Sequence, residues 1–404
     1  MKKIKSTSDW IQIKIIALVV LLCFQNFIFA QSDVIPFEQI TLKEALEKAG
    51  QNKQLVFIDA FTTWCGPCKW MAKNVFTNDE VAKFYGSNFV CLKLDMEKGE
   101  GKEFAEKYEV SAYPTFVFLN ATGIKVHQAC GSKEAPDFIL DGKNALTPEL
   151  NLLGYQERFN QGQRDFTFLR EYAHVLAQAN MSSEDVLNEL LDSESKMDLI
   201  NKKDFELLAN YCSLNSKAFE FIGSNQEKYK AVLDKDRLEN LYTDVFLTEA
   251  YNAGKSNDVE RLKIAEKTAE KFVGEKSGEL TANMRWNFAR VTKTNMYDAA
   301  KDYADNYLKN NASELNNLAW AIYENYEDPK VLKSAADWAA QSVKIKQEYA
   351  NTDTYANILH KMGKEEEAAR YANTAIDMAK KLNLDYSDTE NLLKEIESKK
   401  QIKK

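Results

Sequence analysis

Cys65 and Cys68 are separated by Gly66 and Pro67, and this spacing supports thiol chemistry. Two intervening residues let both sulfurs sit in the first turn of one helix and close a small disulfide ring. A cysteine at a helix N-terminus faces unpaired backbone N–H groups and the positive end of the helix dipole, which stabilise a thiolate and lower its pKa. Cys65 is thus expected to be the attacking nucleophile and Cys68 the resolving thiol of a disulfide exchange. Pro67 suits the first turn, where its missing N–H costs little. Two other readings of the pair fit less well. Zinc needs two further Cys or His ligands, but His127, His174 and His360 are scattered and no second Cys-x-x-Cys exists. A purely structural bridge across two residues gains little chain entropy. No metal and no cofactor beyond the redox-active pair is therefore expected.

The surrounding elements must hold this turn. Residues 55–58 are a continuous apolar run, as expected of a strand buried on both faces. The pattern predicts further strands at 89–94, 115–119 and 124–129. Helices are predicted over 41–50, opened by a capping box of Thr41 and Glu44, after a second box of Thr77 and Glu80, and over 104–108. Strands interleaved with helices indicate an α/β sheet.

The hexapeptide Trp64-Cys65-Gly66-Pro67-Cys68-Lys69, after a strand carrying Asp59, closely resembles the thioredoxin family over about 110 residues. The resemblance implies an α/β thioredoxin fold, a central mixed sheet with flanking helices. It also implies that Asp59 is a buried acid serving the proton at Cys68, that Lys93 pairs with it, and that Tyr113-Pro114-Thr115 is the cis-proline loop facing the disulfide. Phe61, Trp64, Gly66, Pro67, Met96, Tyr113, Pro114 and Cys130 are then expected along the substrate groove, with Pro114 leaving the Tyr113 backbone open to a substrate segment. The stretch 74–81 is similar to thioredoxin-like domains of bacterial membrane thiol transporters. Lys73 stands where thioredoxins usually carry a kinking proline, which weakens inference about that helix but not about the Cys turn.

Residues 1–30 read as a secretory signal peptide: Lys2, Lys3, Lys5 and Lys14, an apolar core over 15–24, and a small residue at Ala30. A membrane anchor would need about 20 apolar residues, and a lipoprotein site at Cys23 would want a smaller neighbour than Leu22. Cleavage removes four lysines and one acid, taking the formal net charge from −8 to −11, and leaves five of six cysteines. That odd number in an exported chain requires an unpaired thiol or an intermolecular bridge. Cys91 is expected as a buried small hydrophobe, Cys130 at the groove border, and Cys212 inside a helix core. Acidity excludes the clustered basic surface that nucleic acid requires.

The chain has 404 residues, too many for one ordinary domain of about 150. Five of its six prolines precede residue 149, so the back should be helical. There Ala265, Ala300, Ala335 and Ala368 recur at intervals of 35, 35 and 33, each followed four residues later by another alanine, and three later by Thr268, Tyr303, Trp338 or Tyr371. Such an i, i+3, i+4 face with a period near 34 marks a helix–turn–helix array. It resembles tetratricopeptide (TPR) repeats, with an array over 235–383, looser helical pairs before it, a last helix from Ser387 and a solvated tail over 399–404.

The expected organisation is a signal peptide (1–30), a thioredoxin-like domain (31–145) and an all-α TPR-like helical-repeat region (146–404). The expected function is an exported, periplasmic thiol–disulfide oxidoreductase, inner-membrane anchored if the signal is uncleaved. It would reduce disulfides of exported proteins, draw electrons from a membrane thiol transporter, and offer its repeats to a peptide or protein partner. Oxidase or isomerase action is the alternative direction. A partner-binding scaffold with a thioredoxin docking domain is the alternative class.

Overall fold

The computed structural model describes residues 34–402. The expected signal peptide and Cys23 lie outside the described residues. The chain forms two compact units, the first ending at Met197 and the second beginning at Asp198.

In the first unit, α1 (Leu42–Asn52) opens on the expected capping box: Thr41 Oγ1 accepts from Glu44 N, and Glu44 Oε2 accepts from Thr41 N. Then follow β1 (Leu55–Phe61), α2 (Gly66–Asn74), α3 (Asp79–Asn88), β2 (Phe89–Asp95), α4 (Glu100–Tyr108), β3 (Thr115–Leu119), β4 (Lys125–Cys130) and α5 (Ala135–Leu146). The cap of α3 differs from expectation. Asn78, not Thr77, caps it, its Oδ1 accepting from Glu80 N and Val81 N, because the Thr77 hydroxyl instead donates to Lys73 O at the end of α2.

The strand order is β2-β1-β3-β4. β1 pairs parallel with β2 and antiparallel with β3, which pairs antiparallel with β4. Both faces of the sheet are covered. One carries Phe57, Phe116, Phe118 and Ala129 against Met71, Val75 and Phe76 of the α2 region and Phe138 of α5. The other carries Val56, Ile58, Ala60 and Val117 against Ala45, Ala49 and Phe104. Alternation along each strand makes this division, and it puts Asp59 on the α2 face, since its partner across the ladder is Phe116.

The first unit continues well past residue 145. Helices α6 (Leu152–Asn160), α7 (Phe166–Gln178) and α8 (Glu184–Leu191) belong to it. The reason is visible at the edge strand β4. Leu152 N donates to His127 Nδ1, and Gln128 Nε2 donates to Ala179 O. His127 and Gln128 are neighbours on a strand and so face opposite sides of the sheet. The α6–α7 hairpin therefore grips the edge strand β4 from both faces. Burial pushes the His127 imidazole down to about 4, so it is the neutral acceptor that the Leu152 N–H requires.

The second unit is helical throughout its described residues. A 3₁₀ turn (Glu194–Leu199) leads into α9 (Lys202–Ala209), α10 (Lys217–Ser224), α11 (Gln226–Val232), α12 (Arg237–Ser256), α13 (Val259–Val273), α14 (Ser277–Thr292), α15 (Met296–Tyr307), α16 (Ala312–Asn325), α17 (Pro329–Ile345), α18 (Tyr349–Lys361), α19 (Glu365–Leu382) and α20 (Ser387–Ile402). The four periodic alanines fall one each on α13, α15, α17 and α19, and all are fully buried. Their small size lets the paired helices approach closely. Tyr303 and Trp338 are buried at the expected face. Two expectations fail in this unit. Cys212 lies beyond the end of α9, in the following turn, because that helix stops at Ala209. Residues 399–402 of the predicted tail belong to α20, with Lys399 Nζ 3.1 Å from His360 Nε2.

Candidate active site

Cys65 is the N-cap residue of α2, with extended backbone geometry, and its Sγ accepts a hydrogen bond from Cys68 N at 3.0 Å. Ser, Thr, Asp or Asn usually occupies such a position because an oxygen must receive the orphan N–H; here sulfur receives it. The same N–H that caps the helix therefore stabilises negative charge on Cys65 when the pair is reduced. Cys65 and Cys68 form a disulfide, with Cα atoms 5.3 Å apart. Both are buried, while Gly66 and Pro67 between them are exposed. A Cβ on Gly66 would meet nothing within 4 Å, so the outer side of the turn is open to another chain. Helix α2 ends at Asn74, and Lys73 is exposed in its last turn.

Register places the acid and its lysine side by side. Asp59 on β1 is opposite Lys93 on β2, and Lys93 Nζ lies 3.3 Å from Asp59 Oδ2. Neither Asp59 oxygen makes a hydrogen bond among the described residues, so the contact is an ion pair without hydrogen-bond geometry. Burial raises the Asp59 carboxyl to about 6, against the opposing pull of the Lys93 ammonium. Desolvation wins because the carboxyl is 1% exposed while the lysine keeps 27% of its side chain in solvent. The ammonium also lies 4.7 Å from the centre of the Phe61 ring and 5.5 Å from that of Phe76, a cation–π seat that holds it at the mouth of the buried acid. The Thr62 hydroxyl is a further buried oxygen without a hydrogen-bond partner among the described residues. Such buried orphan oxygens mark a place where a proton or a water can be lodged.

The expected lip is only partly a surface. Trp64 is 65% exposed. Its ring packs edge-on against Tyr113, centroids 6.0 Å apart, and its Nε1–H donates to Glu97 Oε1 at 2.9 Å. Glu97, absent from the sequence-based reading, thus orients the most exposed aromatic of the site. The turn Asp95-Met96-Glu97-Lys98 after β2 was the available signal, since Asp95 Oδ1 accepts from Glu97 N. Phe61 and Tyr113 are half-buried. Met96 departs from expectation: it is buried in the cluster against which Tyr113 packs, and so supports the lip from within.

The Tyr113–Pro114 peptide is cis. Pro114 O accepts from Gly131 N at 2.9 Å, and no hydrogen bond engages the Tyr113 backbone among the described residues. That strand end is therefore free to pair with an extended segment. Cys130 is half-buried and opposite Thr115 in the β3–β4 ladder. Its neighbour Ala129 shares the α2 face, so Cys130 belongs to the other face of the sheet from Asp59. Cys91 is buried in the core and burial pushes its thiol well above the ordinary range. Burial likewise pushes the Cys212 thiol up to about 12. Both thiols are inert at neutral pH. No cluster of three metal-ligating side chains occurs among the described residues.

The second unit has its own concavity. A groove of about 830 Å³ runs across α12, α14, α16 and α18, lined by Trp286, Trp320 and Tyr349 with Asn283, Asn287 and Asn317.

Residues 37–121 match a family model described as thioredoxin-like. Thioredoxin-1 of Drosophila melanogaster is 46% identical over 68 residues, which are 17% of this chain and 59% of the fly protein. The match to the Drosophila yakuba thioredoxin-1 likewise spans 59% of that protein. Thioredoxin of Echinococcus granulosus is 37% identical over 92 residues, 23% of this chain and 79% of that protein. A Bacteroides thetaiotaomicron protein solved in solution, provisionally assigned as a disulphide-isomerase, is 45% identical with a TM-score of 0.27, covering 29% of this chain and 97% of that one.

The raised Asp59 value fixes a sign for stability. The folded state binds this proton more tightly than the unfolded chain, so the contribution to stability is complete below about 4 and is lost as pH rises through about 6. Asp59→Asn, which carries no charge to desolvate, should therefore be more stable than the parent at pH 7.5 by up to about 3 kcal/mol, with the gap closing towards pH 4. Denaturant midpoints of the two oxidised proteins across that range check this; a gap independent of pH contradicts it.

Proposed function

This chain belongs to the thioredoxin family, and from that premise we propose that it is an exported thiol–disulfide oxidoreductase that reduces disulfides of exported proteins through Cys65 and Cys68. The observation that carries the reading is the Cys65 sulfur acting as cap of α2, on the sheet face that also buries an acid with a pKa of about 6.

In the reduced protein, the Cys65 thiolate attacks one sulfur of a substrate disulfide. The substrate S–S bond breaks, a mixed disulfide forms, and the departing substrate sulfur leaves as a thiolate that takes a proton from water. Asp59, as carboxylate, accepts the proton of the Cys68 thiol, directly or through one water. The Cys68 thiolate then attacks Cys65 Sγ and the second substrate thiolate departs. Two electrons have passed to the substrate, and the chain is left with the Cys65–Cys68 disulfide seen here. Lys93 offers the buried proton an exit, since its ammonium reaches from Asp59 to solvent. Trp64, Phe61, Tyr113 and the open turn at Gly66 and Pro67 receive the substrate segment, which pairs with the Tyr113 backbone. Pro114 keeps that strand end in place, and Met96 underlies it. Cys130 borders the groove.

Export rests on the basic and apolar pattern of residues 1–30. In a periplasm-like compartment the pair needs an electron donor, and a membrane thiol transporter supplies the matching chemistry. The helical unit is TPR-like in its period and pairing, and its aromatic, asparagine-lined groove fits an extended peptide of a partner or substrate.

Cys65→Ser should abolish reduction of insulin disulfides, and Cys68→Ser should retain exported proteins as mixed disulfides. Activity persisting in Cys65→Ser rules out this mechanism. Partners retained by Cys68→Ser without any disulfide favour the scaffold alternative. A midpoint potential near −270 mV supports a reductase, whereas one near −120 mV makes the chain an oxidase. Protein recovered from cells should begin at Gln31; a chain beginning at Met1 in the cytoplasm contradicts export.

A further inference from the structure

The loop over 109–114, which carries Tyr113 and Pro114 to the Cys pair, is tied to residues that lie beyond the thioredoxin-like match. Lys125 Nζ donates to Tyr108 O at 3.1 Å, the last carbonyl of α4 before the loop. The same ammonium donates to Gln128 Oε1 at 2.8 Å. Gln128 Nε2 donates in turn to Ala179 O at 2.6 Å, at the C-terminal end of α7. The next residue, Asn180, donates from Nδ2 to Ser111 Oγ at 3.3 Å, in the middle of the loop. The run therefore leaves the loop at its start and returns to it two residues before Tyr113.

This geometry depends on a local irregularity. Lys125 and Gln128 are three apart, and plain alternation would send them to opposite faces of the sheet. The β3–β4 register passes from Phe118 opposite His127 to Leu119 opposite Lys125, so Val126 is an extra residue. A bulge of this kind resets the alternation and re-aims the side chains beyond it. Lys125 and Gln128 thereby share a face and can meet. Gln128 is 3% exposed, and a buried amide is tolerated only with its hydrogen bonds made. Asn180 has φ 54°, a left-handed conformation that turns the chain out of α7 and aims its amide at the loop.

We propose that Lys125, Gln128 and Asn180 are positioning residues, a polar brace through which the α6–α7 hairpin fixes the loop whose Tyr113 backbone receives the substrate segment. The helical hairpin is then a working part of the redox unit and more than a grip on its edge strand. The brace acts on substrate affinity, since it touches neither cysteine. It rests on the reading that a disulfide-bearing polypeptide pairs with Tyr113.

Two variants of the full chain test it. Gln128→Leu removes two links at nearly constant volume. Asn180→Gly keeps the left-handed backbone and removes only the contact with Ser111. KM for insulin reduction should rise about 5-fold in Gln128→Leu, the worth of one net hydrogen bond, and about 2-fold in Asn180→Gly. The kcat and the Cys65–Cys68 midpoint potential should stay at parent values, and amide exchange at residues 111–113 should quicken. If both variants keep the parent KM and exchange rates, or if kcat falls while KM is unchanged, the brace is overturned. If Gln128→Leu does not fold, Asn180→Gly decides alone. A parent that does not reduce insulin defeats the functional reading itself, and exchange at 111–113 then still decides the brace.

Discussion

A carboxylic acid held out of water is the constraint on which the first unit turns. Asp59 sits on a strand buried from both sides, and its charged neighbour Lys93 approaches without hydrogen-bond geometry. Burying a carboxylate in this way is costly, and the fold answers by letting the group keep its proton up to about pH 6. Everything nearby serves that compromise. The parallel β1–β2 register delivers Lys93 to the acid, the rings of Phe61 and Phe76 hold the ammonium in place, and α2 covers the same face with the cysteines in its first turn. A group poised near neutrality on the face covered by the helix that carries the thiol pair is suited to taking and returning one proton per cycle.

Much of this site was legible in the sequence. Cys65-Gly66-Pro67-Cys68 after a buried run specifies a helix beginning on a sulfur, while the pairing of Asp59 with Lys93 came from the family resemblance and lies across the β1–β2 register. What escaped the sequence depends on tertiary contact. Glu97 is one acid among many until Trp64 lies within reach of it. Met96 looks like a lip residue until the helices of the opposite face enclose it. Thr77 has the right residue type for a cap, but its hydroxyl had a nearer carbonyl at Lys73. The hairpin of α6 and α7 reads in composition as the start of the helical region, yet its partners are His127 and Gln128 on the sheet. Periodicity reports which face of a helix is apolar, and says nothing of which neighbour that face will meet.

The helical unit shows the complementary case. Its recurrent alanines are a signal that survives without tertiary information, because close helix pairing requires small residues wherever it occurs. The four alanines accordingly fall, fully buried, one on every second helix from α13 to α19. Cys212 and the lysine-rich C-terminus were misplaced because helix ends are set by capping and side-chain partners that hydropathy does not record.

The central claim is that the N-terminal turn of α2 makes Cys65 an ionised nucleophile at neutral pH. Titration of the reduced protein by thiolate absorbance near 240 nm tests it most directly. One thiol should ionise well below the ordinary value of about 8.5, and that step should survive in Cys68→Ser and vanish in Cys65→Ser. A low step that persists in Cys65→Ser, or no thiol ionising below about 8.5, contradicts the account.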